Sequence, residues 1–173
     1  MIGTEKEFTL EIKRILKSEG LLGRAPVMLM SLREQPYQSI LDGTKKYEFR
    51  SRFPKKGCLA FLYVSNTVRE IRGVAHFGRP LWNTAQALKK QGVLSPTDSV
   101  EVLDNYFHHG AGYAIPVLKT WELHPIKLEE LKSLFPAFIV PQSYFWLDKK
   151  PELLAHLLET EVEAWHDSSS SAF

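Results

Sequence analysis

Cysteine is almost absent from this sequence, since Cys58 is the single one among 173 residues. One cysteine excludes an internal disulfide, and its place in the apolar run Cys58–Val64 predicts a buried core thiol in a reducing compartment. No apolar run approaches the roughly 18 residues that cross a bilayer. Residues 1–6 lack the basic and apolar segments of a secretion signal. We therefore expect a cytoplasmic protein with no membrane partner.

Motifs for metals and cofactors are equally scarce. The adjacent His108 and His109 have no cysteine partner and no His-Glu-x-x-His spacing, and two histidines bind a metal only with further ligands. Gly110 and Gly112 are not followed by the Lys-Ser/Thr pair of a phosphate-binding loop. The sequence thus predicts neither a metal site nor a cofactor.

Charge is unevenly distributed along the chain although its net value is only +2. Residues 24–79 carry eleven basic and four acidic groups, a net charge of +7, whereas residues 80–173 have a net charge of −5. A cluster of Lys and Arg is the electrostatic footprint of a protein that binds a polyanion. The alternative is that these cations are scattered over the surface and form no patch.

The hydrophobic pattern predicts one domain of the α+β class with a sizeable core. Apolar residues at helical spacing indicate an N-terminal amphipathic helix at 5–19, followed by a linker at 20–26. Asn66 and Thr67 predict the turn of an antiparallel hairpin. The predicted strands are 27–32, 46–52, 58–64, 70–77 and 113–123, with Pro116 at an edge or bulge. The predicted helices are 83–91, 96 or 97 to 107, 128–135 and 151–165, and we expect the polar tail 168–171 to be disordered.

The segment 43–50, Gly-Thr-Lys-Lys-Tyr-Glu-Phe-Arg, concentrates charge next to a turn. Gly43 can end the preceding helical turns because glycine adopts the left-handed conformation without a Cβ clash. Period-two alternation then predicts a strand with Tyr47 and Phe49 on one face and Glu48 and Arg50 on the other. A carboxylate among cations on one face is either a solvated strand edge, where an ion pair contributes little, or part of a pocket.

Read as Gly-x-Lys-x-x-Glu-x-Arg, this segment resembles the signature of the ASCH domain, a member of the PUA-like β-barrel superfamily. The similarity covers residues 27–144 and includes Pro141-Gln142-Ser143-Tyr144 near its end. The resemblance implies a PUA-like small β-barrel of about five or six mostly antiparallel strands with flanking helices. The chain would then comprise an N-terminal helix and linker (1–26), the barrel domain (27–150), and a C-terminal helix with a disordered tail (151–173).

The resemblance also implies a site. In the family the motif lines a cleft that is proposed to bind RNA or a nucleotide-like ligand. Carried over, the ligand-binding residues are Gly43, Lys45, Glu48 and Arg50, with Gln142, Ser143 and Tyr144 in the segment that closes the cleft. An internal Glu48–Arg50 pair that fixes the barrel wall is the structural alternative. A base could also stack on one of the aromatic residues Tyr63, Tyr106, Phe107, Tyr113, Tyr144, Phe145 or Trp146.

Two other functions stay open at this point. Some relatives resemble amidohydrolases of N4-acylated cytidine or are described as ribonucleases, and in an enzyme Lys45 and Glu48 would be catalytic. Glu48 stands here where those hydrolases have a threonine, so the hydroxyl nucleophile of such chemistry is missing, and Glu48 would instead have to activate a water molecule. The third alternative is a protein-interaction module, a transcription-linked adaptor, that uses the helix at 5–19.

Overall fold

Residues 9–167 are described by a computed structural model, which has an α+β architecture. Short helices lie between the strands of a strongly curved sheet, and a 3-10 turn (Leu147–Lys149) precedes the helix Pro151–Leu158. The elements in chain order are α1 (Ile12–Ser18), β1 (Val27–Leu32), α2 (Glu34–Leu41), β2 (Tyr47–Arg50), β3 (Cys58–Val64), β4 (Glu70–Phe77), β5 (Leu81–Asn83), α3 (Ala85–Lys90), α4 (Val100–Tyr106), β6 (Gly112–Lys127), α5 (Leu128–Leu134), β7 (Tyr144–Trp146), α6 (Pro151–Leu158) and β8 (Val162–Asp167).

The sheet runs in the order β2-β6-β4-β3-β1-β7, and β5 and β8 both pair with β6. Between residues 9 and 167 the named strands all pair antiparallel except β1 with β3. The sheet curls into a half-barrel, which confirms the predicted α+β class and PUA-like barrel. The described residues contain eight strands rather than five or six, because β5, β7 and β8 are short or edge strands that the sequence pattern did not reveal.

The long strand β6 joins the two halves of the sheet. Near its start it pairs with β2 and β5, and further along it pairs with β4 and β8. Its register against β4 is irregular where Phe77 opposes Val117, directly after Pro116. Pro116 itself pairs with Tyr47 of β2, and the register slips at Leu118, so the bulge lies two residues beyond the predicted position.

The core has three parts, divided by the faces of the sheet. Strand β3 is buried throughout, and its alternate residues Leu59 and Cys58 belong to different clusters. One cluster lies against α1, α5 and α6, the second fills the barrel interior, and the third packs under α3 and α4. Cys58 lies in the interior cluster with no exposed surface, which confirms the prediction of a core thiol.

Helix α1 belongs to this core. Ile12 and Leu16 have no exposed surface and pack in the cluster of β1, β3 and α6. Residues 5–8 of the predicted helix lie outside the described residues. In the described part of the chain the helix starts at Ile12. Helix α1 is therefore an integral part of the fold.

The predicted terminal helix 151–165 is wrong in its second half. Helix α6 ends at Leu158, and Val162–Asp167 forms β8 along β6, with Trp165 opposite Trp121. Leu158, Val162 and Trp165 follow one another at helical spacing, so the periodicity extended the helix too far. The segment instead pairs as a strand with the edge of β6, because pairing with a neighbouring strand outweighs the helical spacing of its apolar residues. The tail 168–171 lies outside the described residues.

Helix α4 begins later than predicted, at Val100 instead of 96 or 97. Ser99 is its N-cap, and the Ser99 hydroxyl accepts a hydrogen bond from the Val102 amide. The preceding residues close a turn of their own, since the Ser95 amide donates to Asp98 Oδ2 at 2.7 Å. A local side-chain-to-backbone bond of this kind competes with helix formation.

Candidate functional site

Gly43 sets the geometry of the motif. It follows α2 with a φ of +78°, the left-handed conformation predicted from the sequence. Its amide donates to the Ile40 carbonyl, and the Lys45 amide donates to the Ser39 carbonyl at 2.9 Å. The turn therefore reverses the chain in a few residues and starts β2 at Tyr47.

Three charged side chains of the motif are almost completely buried. Lys45, Glu48 and Arg50 expose 8%, 7% and 9% of their surface, so the solvated strand edge is excluded. In β2, Glu48 lies opposite Ile115 and Arg50 opposite Tyr113 of β6, and directly paired residues share one face of the sheet. Ile115 belongs to the interior cluster, so Glu48 and Arg50 lie on the interior face of the barrel wall.

Arg50 links β2 to strands at the other end of the sheet order. Its Nη2 donates to the Ser31 carbonyl of β1 at 2.8 Å, and its Nη1 donates to Ser143 Oγ at 3.5 Å. The Ser31 amide in turn donates to the Ser143 carbonyl, and the Ser31 hydroxyl donates to the Pro141 carbonyl at 2.7 Å. One guanidinium thus spans the gap between β2 and the segment before β7, where the predicted residue Ser143 lies.

Glu48 uses one carboxylate oxygen locally. Its Oε1 accepts a hydrogen bond from the Phe49 amide at 2.8 Å. Among residues 9–167 it forms no ion pair with Arg50, so the wall-fixing pair considered from the sequence is not formed. Glu48 Oε2 and Arg50 Nε are buried and have no hydrogen-bond partner in the described structure. An acceptor and a donor are therefore left unsatisfied two residues apart on one face.

Lys45 lies on the other side of β2. Its Nζ is 3.3 Å from Asp98 Oδ1 and 4.6 Å from the centre of the Phe49 ring. Phe49 packs in the third cluster under α3 and α4, opposite the face of Glu48 and Arg50. The structure consequently brings Arg50 and Ser143 into contact and places Glu48 on the same face of β2 as Arg50, but does not bring Lys45 to them.

Tyr106 lies near the buried pair, and Tyr144 follows Ser143 in the chain. Tyr106 of α4 exposes 42% of its surface and lies near Arg50, Glu48 and the Ser51 backbone. Burial raises the pKa of Tyr106, with a further increase from Glu48 and an opposing effect of Arg50. Tyr144 packs edge-on against Phe53 and Trp146 at ring distances of 5.8 and 5.9 Å, and burial raises its pKa as well. Both hydroxyls are neutral donors at ordinary pH.

The other sequence-predicted residues are more dispersed. Gln142 is exposed, and Gly43 shapes the turn without any side chain. Tyr63 and Phe107 are buried in the core and cannot stack a base. Sequence reasoning missed Ser31 and Asp98. Ser31 is the one polar residue of β1, which was a usable signal, whereas the 53-residue separation of Asp98 from Lys45 left none.

Some basic residues of segment 24–79 are engaged in contacts within the protein, whereas others line a common surface cavity. Arg72 pairs with Glu70, and Lys45 and Arg50 are engaged internally. Lys55 and Arg79, in contrast, line the same surface cavity. Within the described part of the chain no group of three or more His, Cys, Asp or Glu could hold a metal ion, and no helix there is long and apolar enough to span a bilayer.

Comparison with known proteins identifies the fold. No protein-family model matches the sequence, and no curated protein sequence matches it. The crystal structure of ASCH from Zymomonas mobilis matches with a TM-score of 0.63 and 23% identity, covering 75% of this chain and 94% of that one. Two mutant forms of that protein match with the same TM-score and 23% and 22% identity, covering 75% and 76% of this chain and 97% and 96% of theirs.

Proposed function

The chain folds as an ASCH domain of the PUA-like barrel type, and on that premise we propose that it binds single-stranded RNA or a nucleotide-like ligand at Glu48 and Arg50. The observation that carries the proposal is the pair of unsatisfied buried atoms, Glu48 Oε2 and Arg50 Nε. Leaving a buried polar group unpaired costs about 1–3 kcal/mol, and more when the group is charged. A ligand that satisfies both atoms recovers that free energy.

The chemistry of the pair suits a nucleobase. The hydrogen-bonding edge of a base presents donors beside acceptors, and single-stranded RNA is recognised chiefly through such exposed edges and through stacking. Glu48 Oε2 would accept from an exocyclic amine or ring N–H, and Arg50 Nε would donate to a neighbouring ring nitrogen or carbonyl. The Ser143 hydroxyl, within 3.5 Å of Arg50 Nη1, supplies another polar contact.

Tyr106 and Tyr144 support the same ligand class. A base–aromatic contact contributes about 1–3 kcal/mol in single-strand binding proteins. Both rings are partly exposed, and Tyr106 lies close enough to Glu48 and Arg50 to sense both charges. We assign Tyr106 as the preferred stacking residue at the mouth of the site and retain Gln142 as a polar contact in the closing segment.

The test is an equilibrium titration of fluorescein-labelled eight-nucleotide RNAs (A8, C8 and U8) and of the four nucleoside monophosphates. Wild-type protein is compared with Glu48→Gln, which preserves the shape of the side chain and removes its charge. We expect saturable binding of at least one probe and at least about a tenfold loss in Glu48→Gln, equivalent to about 1.4 kcal/mol. RNA binding that weakens between about 50 and 200 mM salt indicates phosphate contacts.

Glu159→Gln is the matched control because it makes the same chemical change at an exposed position at the end of α6. It should bind as wild type does. Equal affinities for Glu48→Gln and wild type would refute the assigned site. The absence of saturable binding for every RNA and every nucleotide would refute the proposed function as a whole.

The enzymatic alternatives use the same variants. A hydrolase that pairs Lys45 with Glu48 is not favoured by the geometry, since Lys45 Nζ is bound to Asp98 on the opposite side of β2. Turnover of N4-acetylcytidine or cleavage of labelled RNA that disappears in Lys45→Ala would establish an enzyme. The adaptor alternative is also disfavoured, because the apolar face of α1 is used within the core.

A further inference from the structure

A surface cavity lies next to the proposed nucleotide site. It has a volume of about 510 Å³ and is lined by Lys55, Arg79, Pro80, Trp82 and Tyr113. Trp82 exposes 61% of its surface, an unusual position for the largest aromatic side chain. The packing of the fold does not require an exposed aromatic ring and two cations to line the same cavity.

Strand pairing connects this cavity to Arg50. Tyr113 of β6 lies opposite Arg50 on one side and opposite Trp82 of β5 on the other. Directly paired residues share a face, so the three side chains form a row across β2, β6 and β5. Neighbouring strands lie about 4.8 Å apart, which places Trp82 roughly 10 Å from Arg50 along the row.

The polar groups of the cavity are free to meet a ligand. Lys55 and Arg79 make no hydrogen bond or ion pair with any residue between 9 and 167, and Trp82 has no ring contact there. Both cations belong to the segment 24–79, which carries a net charge of +7. An anionic partner is complementary to these two groups, and a flat ring is complementary to the exposed indole.

We infer that this cavity is a second RNA subsite, in which a base stacks on Trp82 while Lys55 and Arg79 bind the adjoining phosphates of a single strand. The inference rests on the proposed function, since the nucleotide at Glu48 and Arg50 is the neighbour of the one on Trp82. Aromatic stacking combined with a cationic groove is how single strands are held without sequence readout. Double-stranded RNA is not accommodated, because its bases are stacked on one another.

The subsite is tested by separating short from long ligands. The probes are the nucleoside monophosphates and the labelled eight-nucleotide RNA that binds wild-type protein best. Trp82→Ala should weaken RNA binding about tenfold and leave nucleoside monophosphate binding unchanged. Lys55→Gln combined with Arg79→Gln should also weaken RNA binding, and should reduce the slope of log K against log salt by about 1.4, since each single-strand phosphate contact contributes about 0.7.

Trp165→Ala is the matched control, because Trp165 is also 61% exposed but lies on β8. Lys89→Gln with Lys90→Gln is the corresponding charge control on α3, where both lysines are exposed. If Trp82→Ala and the Lys55/Arg79 double variant bind RNA as these controls do, while Glu48→Gln is impaired, the second subsite is refuted and the proposed function stands. If wild-type protein binds neither RNA nor nucleotides, both fail together.

Discussion

Lys45 Nζ lies 3.3 Å from Asp98 Oδ1, and the two side chains retain only 10% and 14% of their exposure. This ion pair joins Lys45, two residues before β2, to the turn that precedes α4. It also holds the ammonium group over Phe49, at 4.6 Å from the ring centre. The motif lysine therefore anchors the α3–α4 layer to the barrel, whereas Glu48 and Arg50 form the interior side of the same strand.

Removing the charge of Lys45 should destabilise the protein. Lys45→Met leaves Asp98 partly buried without its partner, and we expect the free energy of unfolding to fall by about 2 kcal/mol, as for other hydrogen bonds to charged groups. Asp98→Asn should have a similar effect, and the double variant should lose less than the sum of the two. Urea denaturation measures all three. Lys46→Met, which alters the exposed neighbour, is the control, and strict additivity of the two changes would contradict the coupling.

Arg50 should contribute to stability as well as to binding. Arg50→Met removes the bond to the Ser31 carbonyl and the contact with Ser143, and we expect a loss of about 2–3 kcal/mol in urea denaturation. Arg50→Lys should recover only part of this, because an ammonium group cannot replace a planar guanidinium that reaches two acceptors. The exposed Arg52 provides the control Arg52→Met, which should change stability little. A stable Arg50→Met variant would show that the link between β2 and β1 is dispensable.

Glu48 should behave in the opposite way from Arg50. Its Oε2 has no partner, so Glu48→Gln removes an unfavourable buried charge while the side-chain oxygen can still accept from the Phe49 amide. We expect thermal and urea stability equal to or above that of wild type, together with the loss of binding described above. A variant that loses stability and binding in parallel would instead indicate that Glu48 is structural. Gains in stability at the cost of function are typical of sites held ready for a ligand.

Helix α1 should be required for folding. Leu16 has no exposed surface in the cluster shared with the sheet, and Leu16→Ala should cost about 2–5 kcal/mol, the range for truncated core leucines. Lys17→Ala, on the exposed side of the same helix, should cost little. Chemical denaturation of both variants distinguishes a core helix from a detachable interaction arm. Equal stability of the two variants would favour the adaptor hypothesis.

Cys58 should be chemically silent in the folded protein. Burial raises the pKa of its thiol to about 12, so the reactive thiolate is scarce at pH 8. We expect no reaction with a thiol-specific chromogenic reagent in native protein and one equivalent after denaturation. Because the folded pKa lies above the ordinary value of 9.0, the stability that this group contributes is complete below pH 9 and falls as the pH rises toward 12. Rapid labelling of native protein would contradict this picture.

Sequence periodicity predicted most strands of the sheet but few of the contacts that the motif residues make with the rest of the chain. Alternation in 46–52 correctly separated Phe49 from Glu48 and Arg50, because side chains on a strand alternate by geometry alone. It could not show that Lys45, lying before the strand, turns to the Phe49 side, because that depends on Asp98. The isolated polar residue Ser31 in β1 was a usable signal, but its bond to Arg50 is made through the backbone carbonyl, which side-chain alternation does not show. The misassigned β8 shows that an edge strand is defined by its partner as much as by its own residues.

The contact between Arg50 and Ser143 joins residues 93 positions apart. During synthesis, which proceeds at about 5–20 residues per second, the motif leaves the ribosome at least about 5 s before the residue that completes its surroundings. Strand β2 also cannot pair in the sheet until its partner β6 has been synthesised. A nascent chain therefore carries Glu48 and Arg50 without their partner Ser143, and premature termination before Ser143 yields a product in which the proposed site is incomplete.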